Sequence, residues 1–317
     1  MPLNLTDIPH TMQIAWITVF AGLSILSIFA YAPFMRKVAW ARATRSQIKS
    51  WWLISLLFAT VLTAGKELTI IVFAFISFIA IREFLTLAPT RREDRIAVFC
   101  LYLSVLSSYW SVWIDNYAYF LVISPIFVFV AITTILSLGK RSEHFLATSG
   151  IMFWGMIICV FNVGHAAFLM HTPEAETSQA GPAGLVFFLL GATVLSDALI
   201  RIANHLVGRT KLGTKSPKAP TIEGILFGAL SSAIILVVLS PYFSPLTFWH
   251  SVLVFSILPV LGAFGGVTMQ AVRDDIGVRA SSRLLAGQGG VLDRIANLSF
   301  TAPWFFHMHA LFALERF

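Results

Sequence analysis

The chain alternates between long apolar runs and short polar interruptions. Ten runs can be drawn, roughly at 13–34, 51–65, 68–81, 96–114, 117–138, 145–170, 183–200, 222–240, 248–271 and 297–314. A bilayer-spanning helix needs about 20 apolar residues, and most of the runs approach or exceed that length. The third is short and is expected to borrow residues from its flanks. In lipid every backbone N–H and C=O must be satisfied within its own segment, which favours helices. The pattern therefore predicts an all-α polytopic membrane protein, a bundle of about ten transmembrane helices.

The placement of basic residues tests this drawing. Arg36, Lys37, Arg42, Arg45 and Lys49 fall in the first interruption, and Arg82, Arg91, Arg92 and Arg95 in the third. Lys140 and Arg141 follow in the fifth, and Arg201, Arg209, Lys211, Lys215 and Lys218 in the seventh. Arg273, Arg279, Arg283 and Arg294 occupy the ninth. These are 20 of the 22 Lys and Arg; only Lys66 and Arg316 lie elsewhere. Cytoplasmic loops collect Lys and Arg, so the alternation predicts five inner loops and both termini on the outer side. The stretch 171–182, HTPEAETSQAGP, has no Lys or Arg, as an outer loop should. Trp51, Trp52, Trp110, Trp113 and Trp249 lie near run ends and read as an interfacial belt. The first run lacks a basic leader and a small-residue cleavage site, so it is expected to stay as a helix.

Composition agrees. Hydrophobic residues make up 57% of the 317, and charged residues only 12%. The mean hydropathy is +0.82. Soluble domains carry about 25% charged residues, so a soluble globular protein is excluded, and disordered chains are apolar-poor. The net charge of +7 is explained by the inner loops, and no nucleic-acid partner is expected. Cys100 and Cys159 both lie in apolar runs and read as small core residues.

Charged residues near the apolar runs are the candidates for chemistry. Glu83, in IREFL, is expected to pair with Arg82 or another base at the inner face. Asp197 closes the seventh run; a carboxylate at the edge of the hydrocarbon is costly and marks a functional site by default. Arg201, one turn on, is its structural partner. The loop that follows is rich in Lys, Gly and Pro, and Lys215 and Lys218 suit it to hold phosphate. The last inner loop interleaves Arg273, Asp274, Asp275, Arg279, Arg283, Asp293 and Arg294 around the tetrad GQGG. Topology needs only positive charge there; the added carboxylates point to phosphate and a divalent cation, since carboxylates plus substrate phosphates are how Mg²⁺ is usually held. His165 reads as a hydrogen-bonded core residue. His307 and His309, two apart on a helix, point to different faces and do not form a metal pair.

This last stretch resembles the phosphatidate cytidylyltransferase (CDP-diacylglycerol synthase) family. That family's signature contains K-R-D-x-G-V-K-D and, further on, P-G-H-G-G-x-x-D-R-x-D-S. Asp275, Gly277 and Val278 match the first part; Gly287, Gly289, Gly290, Asp293 and Arg294 match the second. KSPKAPTIEG resembles the family's S-P-x-K-T-x-E-G element, with Thr221, Glu223 and Gly224 in register, and Asp197 resembles its upstream acidic residue. The ending FTAPWFFH also resembles some bacterial members. The similarity is specific over residues 193–306; before that it is only hydropathy and composition.

The resemblance implies transfer of a cytidylyl group from CTP to phosphatidate, with Mg²⁺, at the cytoplasmic face of a bacterial inner membrane. It implies Asp197, Asp293, Arg273 and Arg294 as catalytic residues, and Lys215, Lys218, Arg279 and Arg294 on substrate phosphates. Asp197, Asp293, Asp274 and Asp275 are the implied metal ligands. Many members are dimers, which implies a homodimer. Residues 1–144 are then N-terminal transmembrane helices, and 145–317 a cytidylyltransferase-like region with site loops 201–221 and 272–296. The departures are specific. Family carboxylates are replaced by Gly266 and Ala296, and the Lys-Arg pair by Arg273-Asp274. Lys-Asp becomes Arg279-Ala280, Pro becomes Ala286, and His becomes Gln288. Two readings stay open: a divergent active enzyme, and a pseudoenzyme that binds lipid or nucleotide or serves a partner. A transporter, which calls for polar groups near the membrane midplane, fits the inner-face charge poorly.

Overall fold

A computed structural model describes residues 8–32, 39–88, 94–138, 145–172, 178–212, 220–276 and 290–314. Ten helices account for almost all of them. They are α1 (His10–Tyr31), α2 (Ala39–Ala64), α3 (Lys66–Leu87), α4 (Arg95–Trp113) and α5 (Tyr117–Ser137). After these come α6 (Phe145–His171), α7 (Gly181–Val207), α8 (Ile222–Phe243), α9 (Phe248–Ile276) and α10 (Val291–Leu314). Among the described residues the only β-type pairing is an isolated bridge between Lys211 and Thr221. The protein is an all-α integral membrane protein: nine of the helices are long and apolar enough to cross a bilayer.

The distribution of polarity is that of a bundle in lipid. Ile25, Leu106, Leu226 and Val238 turn outward with more than 60% of their surface exposed. Ser77, Ser108, Ser232 and Thr301 are instead fully buried between helices. Small hydroxyls let helices approach and hydrogen-bond across the contact: Ser77 meets Tyr109 at 2.7 Å, and Thr193 meets Thr301 at 2.9 Å.

Helix α10 is the tenth candidate span, and it lies inside the bundle against α9, α7, α6 and α3. It carries Asp293, Arg294, His307 and His309, so it is too polar to face lipid all round. Two π-helical turns, Ile123–Phe127 in α5 and Ile157–Phe161 in α6, pack on one another. Pro125 lies in the first and has no N–H to give. The second bears Ile158, whose carbonyl accepts the Ser299 hydroxyl of α10 at 2.5 Å. A π turn frees a carbonyl from the α-helical ladder, and here it ties α10 to α6.

Several helices run further than the apolar runs that predict them. α3 extends the short third run at both ends, to Lys66 and Leu87. α7 continues seven residues past 200, so Arg201 and Asn204 are helical rather than in a loop. α9 reaches Ile276, which puts Arg273, Asp274 and Asp275 on a helix, and α10 begins at Val291, which puts Asp293 in its first turn. Hydropathy alone stops at the first charge, but a helix continues where charged side chains find partners.

Candidate functional site

The site is built where α7, α9 and α10 end together. On α7, Asp197 is ion-paired with Arg201 at 2.6 Å, one turn apart. On α10, Asp293 accepts from Arg273 of α9 through Oδ1, and from the Gly290 N–H through Oδ2 at 3.3 Å. Arg273 and Asp293 are each only 16% exposed, so this pair is largely desolvated. Arg294 lies within electrostatic reach of Asp197, Arg201 and Asp293. Four residues predicted as catalytic, Asp197, Asp293, Arg273 and Arg294, therefore share one cluster, joined by Arg201.

The cluster is not closed. The Nε atoms of Arg273 and Arg294 are buried with no hydrogen-bond partner among the described residues. Two arginine donors are thus left unused among the described residues at this end of the bundle. A buried donor without a partner costs about 1–3 kcal/mol; an anion between the helices would remove that penalty.

Asp274 and Asp275 lie on the exposed last turns of α9, and Asp274 accepts from Gln270 at 2.8 Å. Among the described residues no three His, Cys, Asp or Glu gather as metal ligands. One oxygen nonetheless suits a cation. Glu83 of α3 is 5% exposed, and its Oε1 has no partner among the described residues. Lys215, Lys218 and Arg279 lie outside the described residues.

The T-x-E-G element has a structural task. Thr221 caps α8, its Oγ1 accepting the Gly224 N–H at 3.0 Å. Asn204 of α7 accepts both the Thr221 N–H and its hydroxyl, at 2.9 and 2.8 Å. Glu223 accepts the Arg209 and Thr210 N–H groups and the Thr210 hydroxyl, at 3.1, 3.0 and 2.7 Å. Leu212 donates to the Pro220 carbonyl at 2.9 Å. A Cβ on Gly224 would lie 1.7 Å from Asn204 Oδ1, so only glycine fits. The two ends of the basic loop are thus held side by side. Asn204 was not singled out from the sequence; its only signal there is an amide one turn before a loop.

The two substituted carboxylate positions flank the α9–α10 contact, where Gly265, beside Gly266, abuts Ala296. A Cβ on Gly265 would lie 2.3 Å from the Ala296 carbonyl oxygen, and one on Gly266 would lie 3.0 Å from Asn297 Oδ1. Ala296 is 2% exposed. Where the family pattern has carboxylates at 266 and 296, this chain has a glycine beside Asn297 and an alanine packed against Gly265.

Of the two partners the sequence offers Glu83, Arg82 is not the one it meets, and no other base pairs with it among the described residues. Its Oε2 accepts the Leu292 N–H at 3.1 Å, in the first turn of α10. The N–H groups of a helix's first turn have no intrahelical acceptor, and the helix dipole favours a negative charge there.

Comparison with known proteins follows this geometry. The profile of the cytidylyltransferase family matches residues 45–312. The uncharacterized protein YnbB of Escherichia coli (strain K12) is 34% identical over 261 residues, 82% of this chain and 85% of the relative. Phosphatidate cytidylyltransferase 4, chloroplastic, of Arabidopsis thaliana is 30% identical over 272 residues, 76% of this chain and 67% of the relative. Phosphatidate cytidylyltransferase of Staphylococcus haemolyticus is 26% identical over 255 residues, 78% of this chain and 92% of the relative. The matches take in the clamp on the basic loop, the arginine–aspartate cluster and most of the helices that hold them, and the chain belongs to the cytidylyltransferase family.

Proposed function

We propose that the protein joins CTP and phosphatidate to form CDP-diacylglycerol and diphosphate, at the cytoplasmic face of a bacterial inner membrane. The observation that carries this is the open arginine cluster: beside Asp293, where three helices end, Arg273 and Arg294 hold buried donors with no partner among the described residues. Two phosphate-bearing substrates, one of them a lipid, suit such a place. The relatives named phosphatidate cytidylyltransferase support the choice of substrates.

In this reading a phosphate oxygen of phosphatidate attacks the α-phosphorus of CTP. The new P–O bond forms as the bond to the β-phosphate bridging oxygen breaks, and diphosphate leaves with that electron pair. Phosphoryl chemistry of this kind is mostly positioning and charge stabilisation. Arg294 and Arg273 hold the phosphates and take up charge developing on the leaving group. Asp293 fixes Arg273, and Asp197 fixes Arg201. Lys215, Lys218 and Arg279 add positive charge from the loops. Asp293 and Asp197 would hold Mg²⁺, with Asp274 and Asp275 adding oxygens at the same face; the ion would screen the substrates' negative charge from one another.

A second reading, a catalytically silent member that binds lipid or nucleotide, is favoured by one observation. Positions 266 and 296 carry no carboxylate, and Ala296 is buried against Gly265. The deciding experiment incubates purified protein in detergent–lipid micelles with phosphatidate, labelled CTP and Mg²⁺, beside an authentic family enzyme. Labelled CDP-lipid above background establishes the first reading. No product from monodisperse protein, with the control active, overturns it; Gly266→Asp with Ala296→Asp then tests whether the missing carboxylates are the cause.

A further inference from the structure

We propose that Glu83, on a helix outside the family signature, supplies a carboxylate ligand for the divalent cation. The inference rests on the reading above. The carboxylates of the family signature are absent at 266 and 296, and of the acidic residues in the cluster Asp293 and Asp197 each already hold an arginine. Glu83 holds none. Its side chain is 5% exposed, Oε2 takes the Leu292 N–H at 3.1 Å, and Oε1 is buried without a partner among the described residues.

Both ends of the cluster close on one residue. Gly290 gives its N–H to Asp293 Oδ2, and its α-carbon abuts Glu83: an added Cβ would lie 1.5 Å from Oε1. The two carboxylates therefore flank the same glycine, one from α10 and one from α3. A carboxylate this deep is costly unless its charge is balanced. One backbone N–H and the α10 dipole engage Oε2, and Oε1 is left facing the start of the helix that bears Asp293. Mg²⁺ is commonly held by one or two carboxylates, with waters and substrate phosphates completing its six positions. Glu83 and Asp293 meet that requirement from two different helices, with Arg273 and Arg294 beside them for the phosphates.

A purely structural role would make Glu83 a cap for α10 and nothing more. The two are separated by titrating Mn²⁺ into detergent-purified protein, without nucleotide or added phosphatidate, and reading free Mn²⁺ by electron paramagnetic resonance. One site is expected in the unaltered protein, weakened at least ten-fold by Glu83→Gln and less by Glu83→Asp, which keeps the charge. No Mn²⁺ site, or an unchanged affinity in a monodisperse Glu83→Gln protein, overturns the inference. If Glu83→Gln aggregates, Gly290→Ala replaces it: the added methyl displaces Oε1 while leaving its charge, and unchanged affinity there overturns the inference equally. CDP-lipid synthesis is measured on the same preparations. A Mn²⁺ site removed by Glu83→Gln in a protein that makes no CDP-lipid upholds the ligand and overturns the proposed reaction. Synthesis with Mn²⁺ binding indifferent to residue 83 does the reverse.

Discussion

The two ends of α10 are both polar, and they are built on different terms. Towards the C-terminal end, Tyr117 stands between His165 and His307, 3.1 Å from the Nε2 of each. His165 Nδ1 lies 2.9 Å from the Phe161 carbonyl, which can only accept. Its Nε2 is therefore a bare acceptor for the Tyr117 hydroxyl, and His307 donates in turn to that oxygen. His309 meets Ser244 at 2.7 Å and the Phe305 carbonyl at 2.9 Å. Each of these polar atoms has a partner. About 21 Å away, fourteen residues along at 1.5 Å per residue, the N-terminal end leaves Arg273 Nε, Arg294 Nε and Glu83 Oε1 without partners among the described residues. Closed polar networks hold helices together; open ones, kept at a cost in stability, are where ligands belong.

Mutations can break this contrast. The largest effect is expected from Asp293→Asn, which keeps the shape and removes the charge that fixes Arg273. CDP-lipid turnover should fall by ~100-fold or more, with gel-filtration behaviour unchanged; unchanged turnover would remove Asp293 from the site. Next, Arg294→Ala deletes an open donor. A charge-assisted hydrogen bond contributes about 1.5–3 kcal/mol, so kcat/KM for CTP should fall by roughly 10- to 150-fold, while thermal stability stays level or rises. At the closed end the signs reverse. Tyr117→Phe strands His165 Nε2 and should cost about 1–3 kcal/mol of stability, read as a lower Tm, with turnover per folded molecule preserved. The smallest effect is expected from Thr221→Ala, which removes the α8 cap at about 1 kcal/mol and leaves Glu223 to hold the loop ends. A loss of activity in Tyr117→Phe, or a stability loss in Arg294→Ala larger than its kinetic effect, would erase the contrast.

Much of the fold is visible in the sequence because lipid imposes a simple rule. Apolar runs of spanning length must be helices, and the drawn runs each fall on one helix of the structure. The pairing of Asp197 with Arg201 and the divergence of His307 and His309 follow from helix geometry alone. Helix ends are less legible. Asp293 and Arg294 look like loop residues by hydropathy, yet they open α10 because Arg273 and Gly290 satisfy the aspartate. Glu83 was least legible of all. Its neighbour Arg82 offers a local partner, and no periodicity reveals that its acceptor role is played against Leu292, 209 positions away. Gly224 and Gly290 have the same difficulty: each is dictated by a side chain from another helix, Asn204 and Glu83.

That distance of 209 positions has a consequence for how the protein is made. At about 5–20 residues per second, α10 emerges roughly 10–40 s after α3. Throughout that interval the acid of Glu83 has no α10 backbone to meet, in a nascent chain already entering the membrane. The seat for Glu83 is completed by a helix made 209 positions later, so the site comes into being only once both helices have been synthesised.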